Sequence, residues 1–256
     1  MLLTLIIASF TCAQTKDPEL RLWDVNGVTR EALVFAPRVK TVGKPPLVFD
    51  FHGHGGTAKH AAHVHQLHRA WPEAVVVYMQ GLNTPGKLTD PEGKQTGWQS
   101  GPGDQKDRDL NFFDVVLSSM RKEFNIDEKR IYSTGHSNGG AFTYLLWAKR
   151  GDLFAAFAPV AAFAGPYFIK AKPKPLLHAA SEKDPLVTIG MQQRTLDRVK
   201  RLNGCNNMAE RWAENCQIYL SKTGTPVIVC LHDEGHRYPE WIPAVIVRFF
   251  KEHSKQ

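Results

Sequence analysis

The chain has 256 residues, 43% hydrophobic and 22% charged, with a formal net charge of +7. That length and balance suit one globular α/β domain with a single large core. The lysines and arginines are scattered, and there is no zinc-finger spacing, RNA-binding signature or basic stripe interleaved with aromatics, which argues against a nucleic-acid partner.

Residues 1–10 are apolar but too few to span a bilayer, and Thr11-Cys12-Ala13-Gln14 and a polar stretch follow. This order predicts a secretory signal peptide cut after Ala13, a single domain over 14–256, and no membrane contact after cleavage. Downstream, strands and helices alternate. Residues 32–36 read as a strand, 37–46 as an exposed turn, 46–51 as a strand and 57–70 as a helix. Residues 74–79 read as a buried strand, and 80–103 as a long loop rich in glycine and proline. A helix is predicted over 109–124 from Phe112, Phe113, Val116 and Met120, with Asp109 as N-cap. Strands at 130–134, 155–162, 175–180 and 225–231 alternate with helices at 140–149, 188–202 and 244–250. The expected class is α/β, a mostly parallel sheet with helices on both faces.

Gly135-His136-Ser137-Asn138-Gly139 joins a predicted strand to a predicted helix. In that setting G-x-S-x-G is a nucleophile elbow. Its sharp turn predicts positive φ at Ser137, with glycines where side chains would clash. A serine hydroxyl needs a base, and the base an orienting acid. Asp184, in the loop after strand 175–180, is the expected acid, and His236, after strand 225–231, the expected base. Glu182, Asp233, Glu234 and His232 compete locally, but the first is expected to be solvated and the acids at 233 and 234 lie too near the histidine to buttress it. The oxyanion donors are expected to be the amides of Asn138, following the nucleophile, and of His54, in the glycine-rich loop after strand 46–51. The side chains of His52 and His54 are expected only to brace that loop.

Together, His52-Gly53-x-Gly55-Gly56, Gly135-His136-Ser137-Asn138-Gly139-Gly140, Ser181-x-x-Asp184-Pro185 and Gly235-His236-x-Tyr238-Pro239 resemble the secreted esterases related to polyhydroxybutyrate depolymerases and to feruloyl and acetylxylan esterases. The resemblance runs from about residue 20 to the C-terminus. It implies an α/β-hydrolase fold, a Ser137, Asp184, His236 triad, an oxyanion amide at His54, and an ester substrate that can be polymeric. Tyr238 stands where that family often has tryptophan, and His54 where it often has a small residue or cysteine. The reaction type therefore carries over better than the substrate. A peptidase on the same fold, or a polysaccharide or polyester binder without turnover, are the alternatives.

Trp98 and Tyr238 are the favoured aromatic walls of a substrate pocket, ahead of Tyr167 and Trp241. No cofactor is expected. His60 with His63, or His65 with His68, have metal-ligand spacing, but no carboxylate completes a site, so no metal is expected. Removal of Cys12 would leave Cys205, Cys216 and Cys230, an odd number. A bridge between Cys205 and Cys216 is expected, with Cys230 a buried thiol.

Overall fold

The computed structural model describes residues 18–40 and 42–255, so the predicted signal peptide lies outside the described residues. The chain enters as a hairpin, β1 (Glu19–Val25) and β2 (Val28–Phe35), and then runs into β3 (Leu47–Phe51). Helices α1 (Ala58–His65) and α2 (Leu67–Ala70) lead to β4 (Val75–Met79). The long loop follows and carries a two-stranded ladder, β5 (Leu82–Asn83) with β6 (Thr96–Gly97). Then come α3 (Arg108–Phe124), β7 (Ile131–His136), α4 (Asn138–Arg150), β8 (Ala156–Val160), β9 (Leu176–Ser181) and α5 (Ile189–Leu202). A hairpin of β10 (Glu210–Ala213) and β11 (Cys216–Tyr219), then β12 (Val227–His232) and α6 (Ile242–Lys251), complete the described chain.

Ten strands form one sheet in the order β1-β2-β4-β3-β7-β8-β9-β12-β11-β10. The central strands from β4 to β12 pair in parallel, and both flanks are antiparallel. Parallel central strands are covered on both faces, which is why β3 and β4 are buried at every residue. Alternate side chains feed two cores. Phe49, Phe51, Val75 and Val77 meet the α3, α4 and α5 side through Phe113, Phe142 and Leu196. Val48, Val76 and Tyr78 meet the α1, α2 and α6 side through Ala61, Leu67 and Ile246.

Three sequence expectations change here. The helix over 57–70 breaks at Gln66 (φ 44°, ψ 27°), and the two histidines beside the break take separate buried partners, His65 on Asp50 and His68 on the Tyr78 hydroxyl. Asp109 does not cap α3; Asp107 holds that position, and Asp109 turns inward to pair with Arg30 at 2.8 Å, both side chains buried. That pair is held by more than charge, because the Arg30 guanidinium also lies 4.2 Å over the Phe112 ring.

The third change concerns the cysteines. Cys216 is bonded to Cys230, and among the described residues Cys205 is the free thiol. Residues 210–219 fold back as a hairpin that sets Cys216 directly opposite Cys230 across β11 and β12, while Cys205 sits on the turn after α5. A bridge closing a loop of this size contributes about 3 kcal/mol. Peptide mapping without reductant should recover a 216–230 cross-link and an alkylated Cys205, and reduction should lower the melting temperature. A cross-link through Cys205 would refute the pairing.

Candidate active site

The site starts from a backbone that glycine makes possible. Ser137 lies between β7 and α4 at φ 54°, ψ −117°. A Cβ on Gly135 would come within 2.7 Å of the Gly139 backbone, and one on Gly139 within 2.1 Å of the Phe51 carbonyl oxygen. Side chains at either place would push α4 off β3, so the turn closes only with glycine on both sides of it. An unfavourable φ at a serine costs on the order of 1–3 kcal/mol, supplied here by the packed sheet and helix around it.

Ser137, Asp184 and His236 come together from three loops at the carboxyl ends of parallel strands. The His236 Nε2 lies 2.8 Å from the Ser137 hydroxyl, and its Nδ1 lies 2.7 Å from Asp184 Oδ2. With Nδ1–H donated to the carboxylate, Nε2 is free to accept the serine proton. Asp184 Oδ1 accepts from the Leu186 and Val187 amides, each at 2.9 Å, which fixes the carboxylate plane. The Ser181 hydroxyl accepts from the amides of Lys183 and Gly235, joining the acid loop to the base loop. Glu182 is exposed, and Asp233 pairs with Lys183 at the surface, so neither competes with Asp184.

A buried chain of hydrogen bonds steadies this acid loop from beneath. The Tyr144 hydroxyl on α4 donates to His178 Nδ1 at 2.8 Å, and His178 Nε2–H donates to the Gln192 side-chain oxygen at 2.9 Å. The Gln192 amide in turn donates to the Val187 carbonyl at 2.7 Å. Helix α4, which begins after Ser137, is thereby tied to the loop that carries Asp184. Sequence reasoning passed over His178 and Gln192, whose role depends on three elements meeting.

The glycine-rich loop after β3 faces the same centre. Gly53 abuts the Ser137 side chain, and His54 and Asn138 line one cavity with Ser137. The Asn138 N–H is among the first of α4, where a helix offers no internal acceptor. Its side chain is anchored elsewhere, accepting from the Trp98 amide at 2.7 Å and donating to the Trp98 carbonyl at 3.2 Å. The loop is strapped to the long segment before α3: Gly55 N–H donates to the Thr96 carbonyl, and the Thr96 hydroxyl to the Gly56 carbonyl. Both histidine rings brace it, as the sequence suggested. His52 Nδ1–H donates to the Gly53 carbonyl while Nε2 accepts from the Gly81 amide, and the His54 ring meets Asp90 at 3.1 Å.

Trp98 is not a substrate wall. It is fully buried, packs against Phe51 and Phe142, and donates its indole N–H to the His52 carbonyl. A glycine-rich loop made it look exposed, whereas the β5–β6 ladder folds it inward. Tyr238 is nearly buried with its ring stacked 3.8 Å from His65, and it edges a cavity of about 610 Å³. Tyr167 lines the other cavity, of about 290 Å³, beside Ser137. Leu88, Phe163, Leu186 and Val187 are further walls of that cavity, missed because ordinary apolar residues carry no motif. Trp241 lies edge-on to His232 outside both.

Known proteins resemble this chain in sequence and in fold. A model of the prolyl oligopeptidase family matches residues 92–203, a span that holds Ser137 and Asp184. The bifunctional acetylxylan esterase/xylanase of Neocallimastix patriciarum is 30% identical over 110 residues, 41% of this chain and 16% of that protein. The probable feruloyl esterase C of Aspergillus clavatus is 24% identical over 184 residues, 70% of this chain and 58% of that protein. The chain thus spans less than two thirds of these curated relatives. The acetyl xylan esterase from Aspergillus awamori superposes with a TM-score of 0.66 at 12% identity, covering 91% of this chain and 99% of that one. The fold is that of the α/β-hydrolases, and the sequence resembles feruloyl and acetylxylan esterases. No helix among the described residues is long and apolar enough to cross a membrane.

Burial pushes His52, His68 and His178 down to about 4, so all three stay neutral in the folded protein at neutral pH. Between the ordinary histidine value near 6.5 and about 4, the unfolded chain takes up protons that the folded chain does not. Stability should therefore fall as pH drops through that window. Urea unfolding at pH 7 and pH 5 checks this, with a lower midpoint expected at pH 5. Equal midpoints would contradict the assignment of these rings as neutral props.

Proposed function

We propose that the protein is a secreted serine esterase that hydrolyses carboxylic esters through an acyl-enzyme. The observation that carries this is the continuous path from Ser137 through His236 to Asp184, with both hydrogen bonds under 3 Å. His236 takes the proton as Ser137 attacks the ester carbonyl. The amides of His54 and Asn138 stabilise the oxyanion. His236 then protonates the leaving alcohol, and water, activated by the same imidazole, releases the acid. Asp184 keeps the tautomer and stabilises the imidazolium.

Resemblance to feruloyl and acetylxylan esterases supports plant cell-wall esters as substrates, with short hydroxyalkanoate esters next. An apolar cavity beside Ser137, walled by Phe163, Tyr167 and Leu186, suits an acyl group of either kind. The apolar start of the chain supports export. A peptidase is the second reading, favoured by the match to the prolyl oligopeptidase family. A binder without turnover would have no use for a relay aligned this closely.

The test is hydrolysis of p-nitrophenyl acetate and butyrate, methyl ferulate, acetylated xylan and a peptide amide. Ester turnover should exceed amide turnover, and Ser137→Ala should lower it by a factor on the order of 10⁴ or more. Amide cleavage outrunning ester cleavage would favour the peptidase. No turnover from folded protein would overturn the enzymatic reading.

A further inference from the structure

Two cavities meet at the reacting residues, and their walls differ in kind. They share Gly53, His54, His136 and His236. Only the smaller includes Ser137 and Asn138, and its other walls are mainly apolar. The larger, about 610 Å³, continues from His236 past Arg237 and Tyr238 to Thr57 and His60 at the start of α1.

The reaction assigns a half of the ester to each. The acyl carbon bonds to the Ser137 oxygen, so the acyl group belongs in the cavity that Ser137 lines. The leaving oxygen receives its proton from His236 Nε2, so the alcohol departs on the His236 side. A general acid must be within hydrogen-bond reach of the atom it protonates. His236 lines both cavities, so with the acyl group in the one that Ser137 lines, the alcohol is left to the larger cleft.

Its charge is one-sided. No aspartate or glutamate lines it. Among the described residues, Arg237 has no ion pair, hydrogen bond or ring contact, although it is exposed on the cleft wall. The nearby acids stand behind the wall or are engaged elsewhere: Asp184, Asp90 and Asp50 are each bonded to a cleft histidine (His236, His54 and His65), Asp233 pairs with Lys183, and Glu234 and Glu240 do not line the cleft. The smaller cavity also lacks acidic walls and has Lys87 at its edge. A neutral sugar needs only hydroxyl partners, which Thr57 and the histidines supply. An unpaired guanidinium, with its planar fork of donors, matches a carboxylate. An acid-free cleft on a chain of net charge +7 concentrates anions.

We propose that the cleft beyond His236 binds the alcohol half of the substrate and selects alcohols that carry a carboxylate, of the uronic-acid class, through Arg237. This rests on the esterase reading above. The ester would break as already written, with the acyl group passing to Ser137 and the uronate leaving as the free alcohol after taking the His236 proton.

The experiment compares O-acetyl methyl galacturonoside with O-acetyl methyl galactoside, which share the acyl group and differ in the carboxylate. At low ionic strength kcat/KM should favour the uronoside about threefold to fivefold, the upper part of the range for an exposed ion pair. High salt should shrink that ratio, and Arg237→Gln should bring it near one. A ratio near one in the parent, or a preference that survives Arg237→Gln, would overturn the proposal. Binding of unacylated methyl galacturonoside and methyl galactoside to the Ser137→Ala protein, measured by calorimetry, separates the two readings. If the parent hydrolyses no ester yet Ser137→Ala binds the uronoside more tightly and Arg237→Gln abolishes the difference, the esterase reading fails and the anionic subsite stands. Equal binding of the two glycosides removes the subsite even if esters are hydrolysed.

Discussion

Everything at the centre depends on one backbone residue held where serine does not settle unaided. Ser137 has positive φ because β7 ends and α4 begins within a single residue. The space for that change of direction comes from Gly135 and Gly139, the latter against the Phe51 carbonyl. The turn lifts the hydroxyl above the carboxyl end of the sheet and starts α4 with unpaired amides beside it. A base can then approach from the end of β12 and an acid from the end of β9, since these strands are parallel neighbours. The order of strands in the sheet thus decides which loops can meet the serine.

The turn is supported from two directions. On one side, the long loop before α3 is fixed by the buried Arg30 and Asp109 pair, and Asp109 also accepts from the Gln99 amide. The same loop binds the Asn138 side chain through Trp98 and the glycine-rich loop after β3 through Thr96 and Asp90. On the other side, Tyr144, His178 and Gln192 reach the acid loop at Val187. Neutral buried histidines recur in both supports because an imidazole both donates and accepts, and can join two elements without burying a charge. His136, next to Ser137, is also held well below the usual histidine value by burial with His236 and His65 nearby, but its Nε2 has no hydrogen-bond partner among the described residues.

Much of the centre was legible in the sequence because it is local. The elbow motif needs only five consecutive residues, and Asp184 and His236 each follow an apolar strand in the expected order. Central strands such as 47–51 and 75–79 were legible as unbroken apolar runs. The outer strands β1, β10 and β11 were not. In β1, Leu20 and Leu22 face solvent while Arg21 turns in toward Glu123, which inverts the pattern that marks a strand. The hairpin of β10 and β11 is short and half exposed, and missing it gave the wrong cysteine pair. Trp98 misled for the opposite reason, because a turn-rich stretch can still be folded into the core when a partner such as Asn138 holds its backbone. Phe163, Leu186 and Gln192 act only through contacts across elements, which no local pattern records.

The central claim is that the turn at Ser137 presents an activated nucleophile. The most direct measurement is the intact mass of the protein after brief exposure to a phosphonate ester, followed by peptide mapping. The account predicts a single adduct on Ser137, formed far more slowly in His236→Ala. No adduct on folded protein, an adduct elsewhere, or labelling as fast without His236 would contradict it.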